Sequence, residues 1–331
     1  MIKRKIKSKK THPKNPTKIS FAKSIALFSL VGVVLLGFKA NIPINFNSTF
    51  SLSDLESLGK VAGANEIKNI PTIEKSGPEL VNKDTLFPSI SSKSALVIDL
   101  TTNKELYNKN AEIPLPPAST TKIITALLAL EEMDLSKKVV VNPECTILGG
   151  NNVGFKAGDT ITVEGLLYGL LVRSAADAAC VLANADGSYE RFINKMNQKA
   201  NALGLNSTHF TNEVGFDADN GTHLSTAYDL SVLGREALKN DVFRKIVGTK
   251  ETSIDSSSNG KTYYISNTNE LLFTLPGTTG VKTGYTEKAL GCLVFSYENL
   301  GKKILIVVMG SSDRFGDTEK LLNWVLSSFR F

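Results

Sequence analysis

Strand-like patterning occurs at both ends of the region from Ser94 onward and helix-like patterning fills the middle, which leaves few ways to build a sheet. Ala95-Leu96-Val97-Ile98-Asp99-Leu100, the polar Thr101-Thr102-Asn103-Lys104 and Glu105-Leu106-Tyr107 predict a β-hairpin. After Gly280 strands return as Cys292–Ser296 and Lys303–Met309, joined across Glu298-Asn299-Leu300-Gly301, and a closing helix carries Leu321, Leu322, Trp324 and Val325. Between them Ile123, Ile124, Leu127, Leu128 and Leu130 follow helix spacing, and Leu166, Leu167, Leu170 and Leu171 repeat it before a break at Arg173–Asp177. Ala178–Ala185 resumes the pattern. Ser188 is placed to cap a helix carrying Phe192, Ile193 and Met196 and stopped at Gly204, and Ser225 or Thr226 opens another through Leu230, Leu233 and Leu238. Strands at both chain ends can share a core only by meeting in one sheet. The predicted fold class is therefore α/β, in its α+β form: an antiparallel sheet flanked by helices, with an all-helical subdomain at roughly 125–250 inserted in a domain spanning 91–331.

The charge is distributed unevenly. The formal net charge is +6, but residues 1–40 hold ten of the 38 cations and no acid, so the remaining 28 cations face all 32 acids and residues 41–331 carry −4. A basic nucleic-acid-binding domain is thereby excluded. Behind the basic head, residues 1–24, runs Ile25–Phe38, fourteen residues without a charge. Phe38-Lys39-Ala40 lacks the small residue expected two positions before a cleavage point, so residues 25–40 are expected to be an uncleaved signal-anchor, with a cleaved secretory peptide as the alternative. The cations put the amino terminus in the cytoplasm and the rest outside it, so the cytoplasmic membrane is an expected partner. Residues 41–90, with Pro43, Pro71, Pro78 and Pro88, read as a tether whose reach is roughly 40 Å if unstructured.

Cys145, Cys180 and Cys292 are odd in number, far apart and set in apolar surroundings, so they are expected to be small buried residues rather than a disulfide framework. No metal-ligand spacing is present. With three histidines and no Gly-x-Ser-x-Gly turn, a Ser-His-Asp hydrolase has little to build on.

Chemistry is concentrated elsewhere. Ser119-Thr120-Thr121-Lys122 stands at the start of an apolar helix, where positions i and i+3 share a face and the Lys122 amine can reach the Ser119 hydroxyl. A serine is a poor nucleophile until a neighbour takes its proton, and a lysine made neutral by burial can do so. Ser-x-x-Lys also occurs at Ser20, Ser57 and Ser258, but only Ser119 combines a helix start with an apolar flank. Lys282-Thr283-Gly284-Tyr285-Thr286 offers a cation, hydroxyls and an open strand edge suited to a carboxylate. Ser174, in Arg173-Ser174-Ala175-Ala176-Asp177, sits at a break between helices, where it either faces a cleft or caps the helix that follows.

In this order the pieces resemble the serine penicillin-binding and β-lactamase superfamily, whose signatures are Ser-x-x-Lys, Ser-x-Asn and Lys-Thr-Gly. The closer resemblance is to the D-alanyl-D-alanine carboxypeptidases, the low-molecular-mass penicillin-binding proteins. It covers about residues 90–331, adding Leu170–Ala179, His209-Phe210-Thr211-Asn212 with Gly215, and Asn267-Thr268-Asn269. The resemblance implies a β-lactamase/transpeptidase-like fold, no cofactor, a peptidoglycan stem peptide ending in D-Ala-D-Ala as substrate, and β-lactams as inhibitors. It assigns Ser119 as nucleophile, Lys122 as base and Ser174 as proton relay. Lys282 and Thr283 would hold the terminal carboxylate and keep Lys122 neutral by like-charge proximity, with Gly284, Tyr285 and Thr286 completing the substrate edge. Backbone N–H groups of Ser119 and Tyr285 would form an oxyanion hole. Arg314 matches an arginine near the carboxylate site, and His209 is expected to be structural.

Two departures stand out. The usual Asn of Ser-x-Asn is Ala176 here, which removes an amide that would orient Lys122 and hold the substrate backbone. It opens the alternative of a non-catalytic or penicillin-trapping homologue; D,D-endopeptidase and β-lactamase activities are further alternatives. Many relatives also continue into a β-rich domain and a membrane-binding helix, whereas this chain stops at Phe331, so the amino-terminal apolar segment is expected to be its sole attachment.

Overall fold

The structure, a computed structural model, describes residues 77–82 and 86–331. The basic head, the expected anchor at 25–40 and most of the tether lie outside the described residues. Among the described residues no helix is long and apolar enough to cross a membrane.

In chain order the elements are β1 (Glu79–Leu80), β2 (Ser94–Asp99), β3 (Glu105–Lys109), a 3-10 turn (Ala118–Thr121), α1 (Lys122–Glu132), β4 (Lys138–Val140), a second 3-10 turn (Pro143–Ile147), β5 (Thr160–Thr162), α2 (Val163–Leu171), α3 (Ala176–Asn184), α4 (Tyr189–Ala202), α5 (Ala227–Ala237), α6 (Asp241–Val247), β6 (Glu251–Asp255), β7 (Thr262–Ser266), α7 (Leu271–Thr274), β8 (Thr278–Thr286), β9 (Leu290–Asn299), β10 (Lys302–Ser311), α8 (Arg314–Ser328) and β11 (Phe329–Arg330). The chain ends do meet in one antiparallel sheet, of order β3-β2-β10-β9-β8. β10, near the carboxyl end, pairs directly with β2, near the start of the domain, and places Ile306 opposite Val97.

Both faces of this sheet are covered, which explains the continuous apolar runs of β2 and β10. Alternate residues of one strand serve different cores. Leu305, Val307 and Met309 join Leu96, Ile98 and Val294 in the core shared with the helical subdomain. Ile304, Ile306 and Val308 join Val97, Phe295 and the Leu321, Leu322, Trp324 and Val325 stripe of α8 in the other. Each such fully buried large side chain stabilises the fold by about 1.5–3 kcal/mol. Caps match the expected helix starts: Ser188 Oγ accepts from Arg191 N and Thr226 Oγ1 from Asp229 N. Two further antiparallel pairs, β4–β5 and β6–β7, are not apparent from patterning, because strands of three to five residues give little periodicity.

Two expectations are corrected. The tether expected at 41–90 is not all tether: residues 77–82 and 86–90 belong to the fold. Glu79 and Leu80 pair with Arg330 and Phe329, Lys104 Nζ donates to Pro78 O at 2.7 Å, and the Phe87 ring lies 5.3 Å from Trp324 and 6.0 Å from Tyr107. These contacts join residues distant in sequence, so no local pattern announces them. Cys145 and Cys180, expected to be unpaired, form a disulfide with Cα atoms 5.4 Å apart; Cys292 is free and buried. Folding brings the second 3-10 turn beside α3, and small apolar surroundings proved compatible with a cross-link.

Closing a loop between cysteines 35 residues apart is worth about 3–4 kcal/mol in the chain-entropy treatment. Reduction, or Cys145→Ala with Cys180→Ala, is expected to lower the urea midpoint accordingly; an unchanged midpoint would mean the bond does not form.

Candidate active site

Two backbone segments approach the Ala118–Ser119 main chain too closely to admit side chains. A Cβ on Gly215, whose φ is +88°, would fall 1.9 Å from Ala118 O, and one on Gly284 would fall 2.9 Å from Ser119 N. Those two positions therefore require glycine, the first for its backbone angle as well as its space. Ala118 itself adopts φ +48°, turning the chain into the 3-10 turn that carries Ser119.

In a 3-10 turn side chains at i and i+3 eclipse, and Lys122 is the residue at which that turn passes into α1. Lys122 Nζ lies 2.9 Å from Ser119 Oγ and 2.7 Å from Val214 O; Ser119 Oγ also lies 3.3 Å from Val214 O. Lys122 is 1% exposed. Burial brings its pKa down to about 7, against opposing contributions from the carboxylates of Glu213 and Asp177. Glu213 is buried and held by the Tyr189 hydroxyl at 2.8 Å. A neutral amine beside a serine hydroxyl at near-neutral pH is the arrangement a general base requires.

Ser119 and Lys122 open onto a cleft of about 430 Å³ between the β8 edge and the helical subdomain. Ser174 lines it, buried, at φ +60°. It is not a helix cap, since the N-cap of α3 is Ala175. On the other wall stand Thr283, Gly284, Tyr285 and Thr286 of β8, an edge strand as expected, together with Arg314 from the start of α8. Thr283 Oγ1 is 2.6 Å from Thr268 Oγ1, Thr286 Oγ1 donates to Asp217 Oδ1 at 2.9 Å, and Arg314 Nη1 approaches Gly284 O at 3.4 Å with its guanidinium over the Phe315 ring.

Lys282 departs from expectation. It is 1% exposed, absent from the cleft lining, and donates to Thr283 O at 3.0 Å. Alternation along a strand puts Lys282 and Thr283 on opposite faces: Lys282 shares the face of Gly284, which abuts Ser119, and pairs with Val294 of the core shared with the helical subdomain, while Thr283 and Arg314 line the cleft. Burial first, then Lys122 and Arg314, push the Lys282 pKa well below the ordinary lysine value. Like-charge coupling acts at Lys282, second to burial, whereas at Lys122 the lowering comes from burial and is opposed by the Glu213 and Asp177 carboxylates.

His209 is exposed and bridges to Leu224 through its backbone. The histidine that sequence reading passed over is His223. Its Nδ1 accepts from Thr211 N at 3.0 Å and its Nε2 lies 2.9 Å from Thr121 Oγ1, which donates to Ala118 O. Burial, with His209 adding to it, lowers its pKa to about 4, so it is a neutral brace for the turn bearing Ser119. Thr268, Glu270, Asn151 and Phe216 also line the cleft. Thr268 belongs to Asn267-Thr268-Asn269, part of the family resemblance; the others carry no spacing signal. Of the rival Ser-x-x-Lys motifs, Ser20 and Ser57 lie outside the described residues, while Ser258 bonds to Thr160 and Lys261 sits over the Tyr263 ring instead of meeting it.

A serine nucleophile, a buried amine and a hydroxyl-and-arginine wall define a serine acyl-transfer site. The chain belongs to the D-alanyl-D-alanine carboxypeptidase family, whose profile matches residues 81–313. It is 37% identical over 247 residues to D-alanyl-D-alanine carboxypeptidase DacF of Bacillus subtilis, an alignment spanning 72% of this chain and 63% of that protein, and so somewhat less than two thirds of its length. Identity to D-alanyl-D-alanine carboxypeptidase DacB2 of Mycobacterium tuberculosis is 39% over 222 residues, spanning 67% of this chain and 76% of that one. The crystal structure of the Streptomyces K15 DD-transpeptidase superposes with a TM-score of 0.69 at 32% identity, covering 73% of this chain and 100% of that chain.

Lys122 must be neutral to accept a proton, so the rate of acylation by a fluorescent penicillin is expected to rise with pH through about 7. Glu213→Gln removes a charge that favours protonated Lys122, and the rise should move to lower pH; a shift upward, or none, would show that Glu213 does not act on Lys122.

Proposed function

We propose that this chain is a serine D,D-carboxypeptidase that removes the terminal D-alanine from peptidoglycan stem pentapeptides through an acyl-enzyme on Ser119, and that β-lactams inhibit it by acylating the same residue. The observation that carries the reading is the 2.9 Å contact between Ser119 Oγ and the buried Lys122 amine. Family membership and the relatives' names support the substrate class.

In this reading neutral Lys122 accepts the Ser119 proton as Oγ attacks the carbonyl carbon between the two D-alanines. Backbone N–H groups of Ser119 and Tyr285 stabilise the developing oxyanion, a contribution of about 3–4 kcal/mol per donor in comparable sites. The C–N bond breaks, Ser174 relays the proton held by Lys122 to the leaving amine, and free D-alanine departs. Water then adds to the ester, giving its proton to Lys122, and the C–O bond to Ser119 breaks with return of that proton. The terminal carboxylate is received by Thr283 and Arg314. Lys282, buried on the Ser119 side of β8, is coupled by like charge to Lys122 and Arg314.

Ala176 favours a second reading, in which acylation occurs and deacylation is slow, so that the protein traps penicillin without rapid turnover. We further propose attachment to the cytoplasmic membrane by residues 25–40, with the catalytic domain outside; the uncharged run Ile25–Phe38 behind nine cations supports this.

Penicillin labelling is expected in the parent and absent in Ser119→Ala, and Lys122→Ala should slow acylation about 10²- to 10⁴-fold. Labelling that survives Ser119→Ala would overturn the nucleophile. Release of D-alanine from a pentapeptide separates the hydrolase from the trapping protein, since the latter labels without releasing it. For the anchor, the mature protein is expected in the membrane fraction with an intact amino terminus by mass spectrometry; a terminus beyond residue 40 would establish cleavage.

A further inference from the structure

Among the described residues lining the cleft, Asn151 is the sole carboxamide. It belongs to the segment between the second 3-10 turn and β5, and that segment is fastened to the first turn of α3 by a set of hydrogen bonds. Ala176 N donates to Asn151 O at 2.7 Å, and Asp177 N donates to Asn152 Oδ1 at 2.9 Å. The buried Asp177 carboxylate accepts from the backbone N–H of Val153 at 3.1 Å, Gly154 at 2.9 Å and Phe155 at 3.3 Å. Cys145–Cys180 anchors the start of the segment to the same helix. The Asn151 backbone is thus held in place, while its side chain is exposed in the cleft and bonds to no described residue.

A peptide laid along the free edge of β8 has half its backbone polar groups satisfied by that strand. The other half faces the helical wall, where leaving a desolvated N–H or C=O unpaired is costly. That wall carries Ser174, the methyl group of Ala176, and Asn151. Ser174 offers a single hydroxyl, already engaged as the proton relay in this reading, and only Asn151 carries a carboxamide, with donor and acceptor on separate atoms. We propose that the Asn151 side chain binds the backbone amide of the acyl-donor peptide, on the side away from β8, and supplies the amide that position 176 lacks. Because Ala176 N bonds to Asn151 O, side chains at these positions border the same stretch of wall, and an amide from either can serve the same substrate group.

The inference rests on the acyl-transfer reading for its substrate, and its test separates the two. Asn151→Ala is expected to lower kcat/KM for an N-acylated tripeptide ending in D-Ala-D-Ala about 10- to 100-fold, as loss of one or two hydrogen bonds predicts. Ala176→Asn is expected to recover most of that loss in the Asn151→Ala background and to gain much less in the parent, a non-additivity that two independent sites would not show. Equal effects of Ala176→Asn in both backgrounds, or a kcat/KM unaffected by Asn151→Ala, would overturn the proposal. Binding of the same tripeptide to Ser119→Ala protein, measured by calorimetry, gives a readout free of turnover. There Asn151→Ala should weaken Kd about tenfold, and an unchanged Kd counts against Asn151 whether or not the parent releases D-alanine. Absence of D-alanine release in a parent that still binds the tripeptide through Asn151 would instead count against the carboxypeptidase reading.

Discussion

Burial of one amine against one hydroxyl is the constraint on which the rest of this molecule depends. Lys122 is almost wholly excluded from solvent, and its Nζ has Ser119 Oγ and Val214 O within hydrogen-bonding distance. Desolvation alone would drive such a lysine far down, and the buried Glu213 and Asp177 carboxylates hold the balance near neutrality. The pocket requires glycine at 215 and 284, because the main chains bordering Ser119 approach within the reach of a single Cβ.

The two-faced sheet holds that pocket in place. β8 contributes the substrate edge, its neighbour β9 is covered on both sides, and β10 ties both to β2. Since one core joins the sheet to the helical subdomain, Ser119 and Lys122 on α1's leading turn and Thr283 on β8 are set by the same packing. Asp177 links the floor to a wall of the cleft, accepting three backbone N–H groups from the segment that bears Asn151.

Much of this was legible from local signals. Alternating and helical apolar spacing placed the first hairpin, β9, β10, the closing helix and the long helices, because a one-dimensional pattern reports a buried face directly. Ser188 and Thr226 announced their helices because capping is local. Ser119 and Lys122, three residues apart, were legible together for the same reason. Cys145 with Cys180, Glu79 with Arg330, and Asn151 with Ala176 were not, since each pairing joins segments that patterning treats as unrelated. Lys282 was legible as a residue but its burial was not, because the motif states its order along β8 and not which side chains the fold encloses.

The sequence by itself determined the antiparallel sheet built from both chain ends, the helical insertion, the division of charge between head and domain, and the nucleophile with its base. These follow from periodicity and short-range spacing, which survive without tertiary context. Only the tertiary structure decided that Thr283 and Arg314 line the cleft while Lys282 is buried, that His223 rather than His209 braces the catalytic turn, that two cysteines are joined, and that Asn151 stands beside the vacant amide position at Ala176. Those outcomes depend on which distant segments share a buried space. Burial, which sets the pKa of Lys122, exists only once the chain has closed around it.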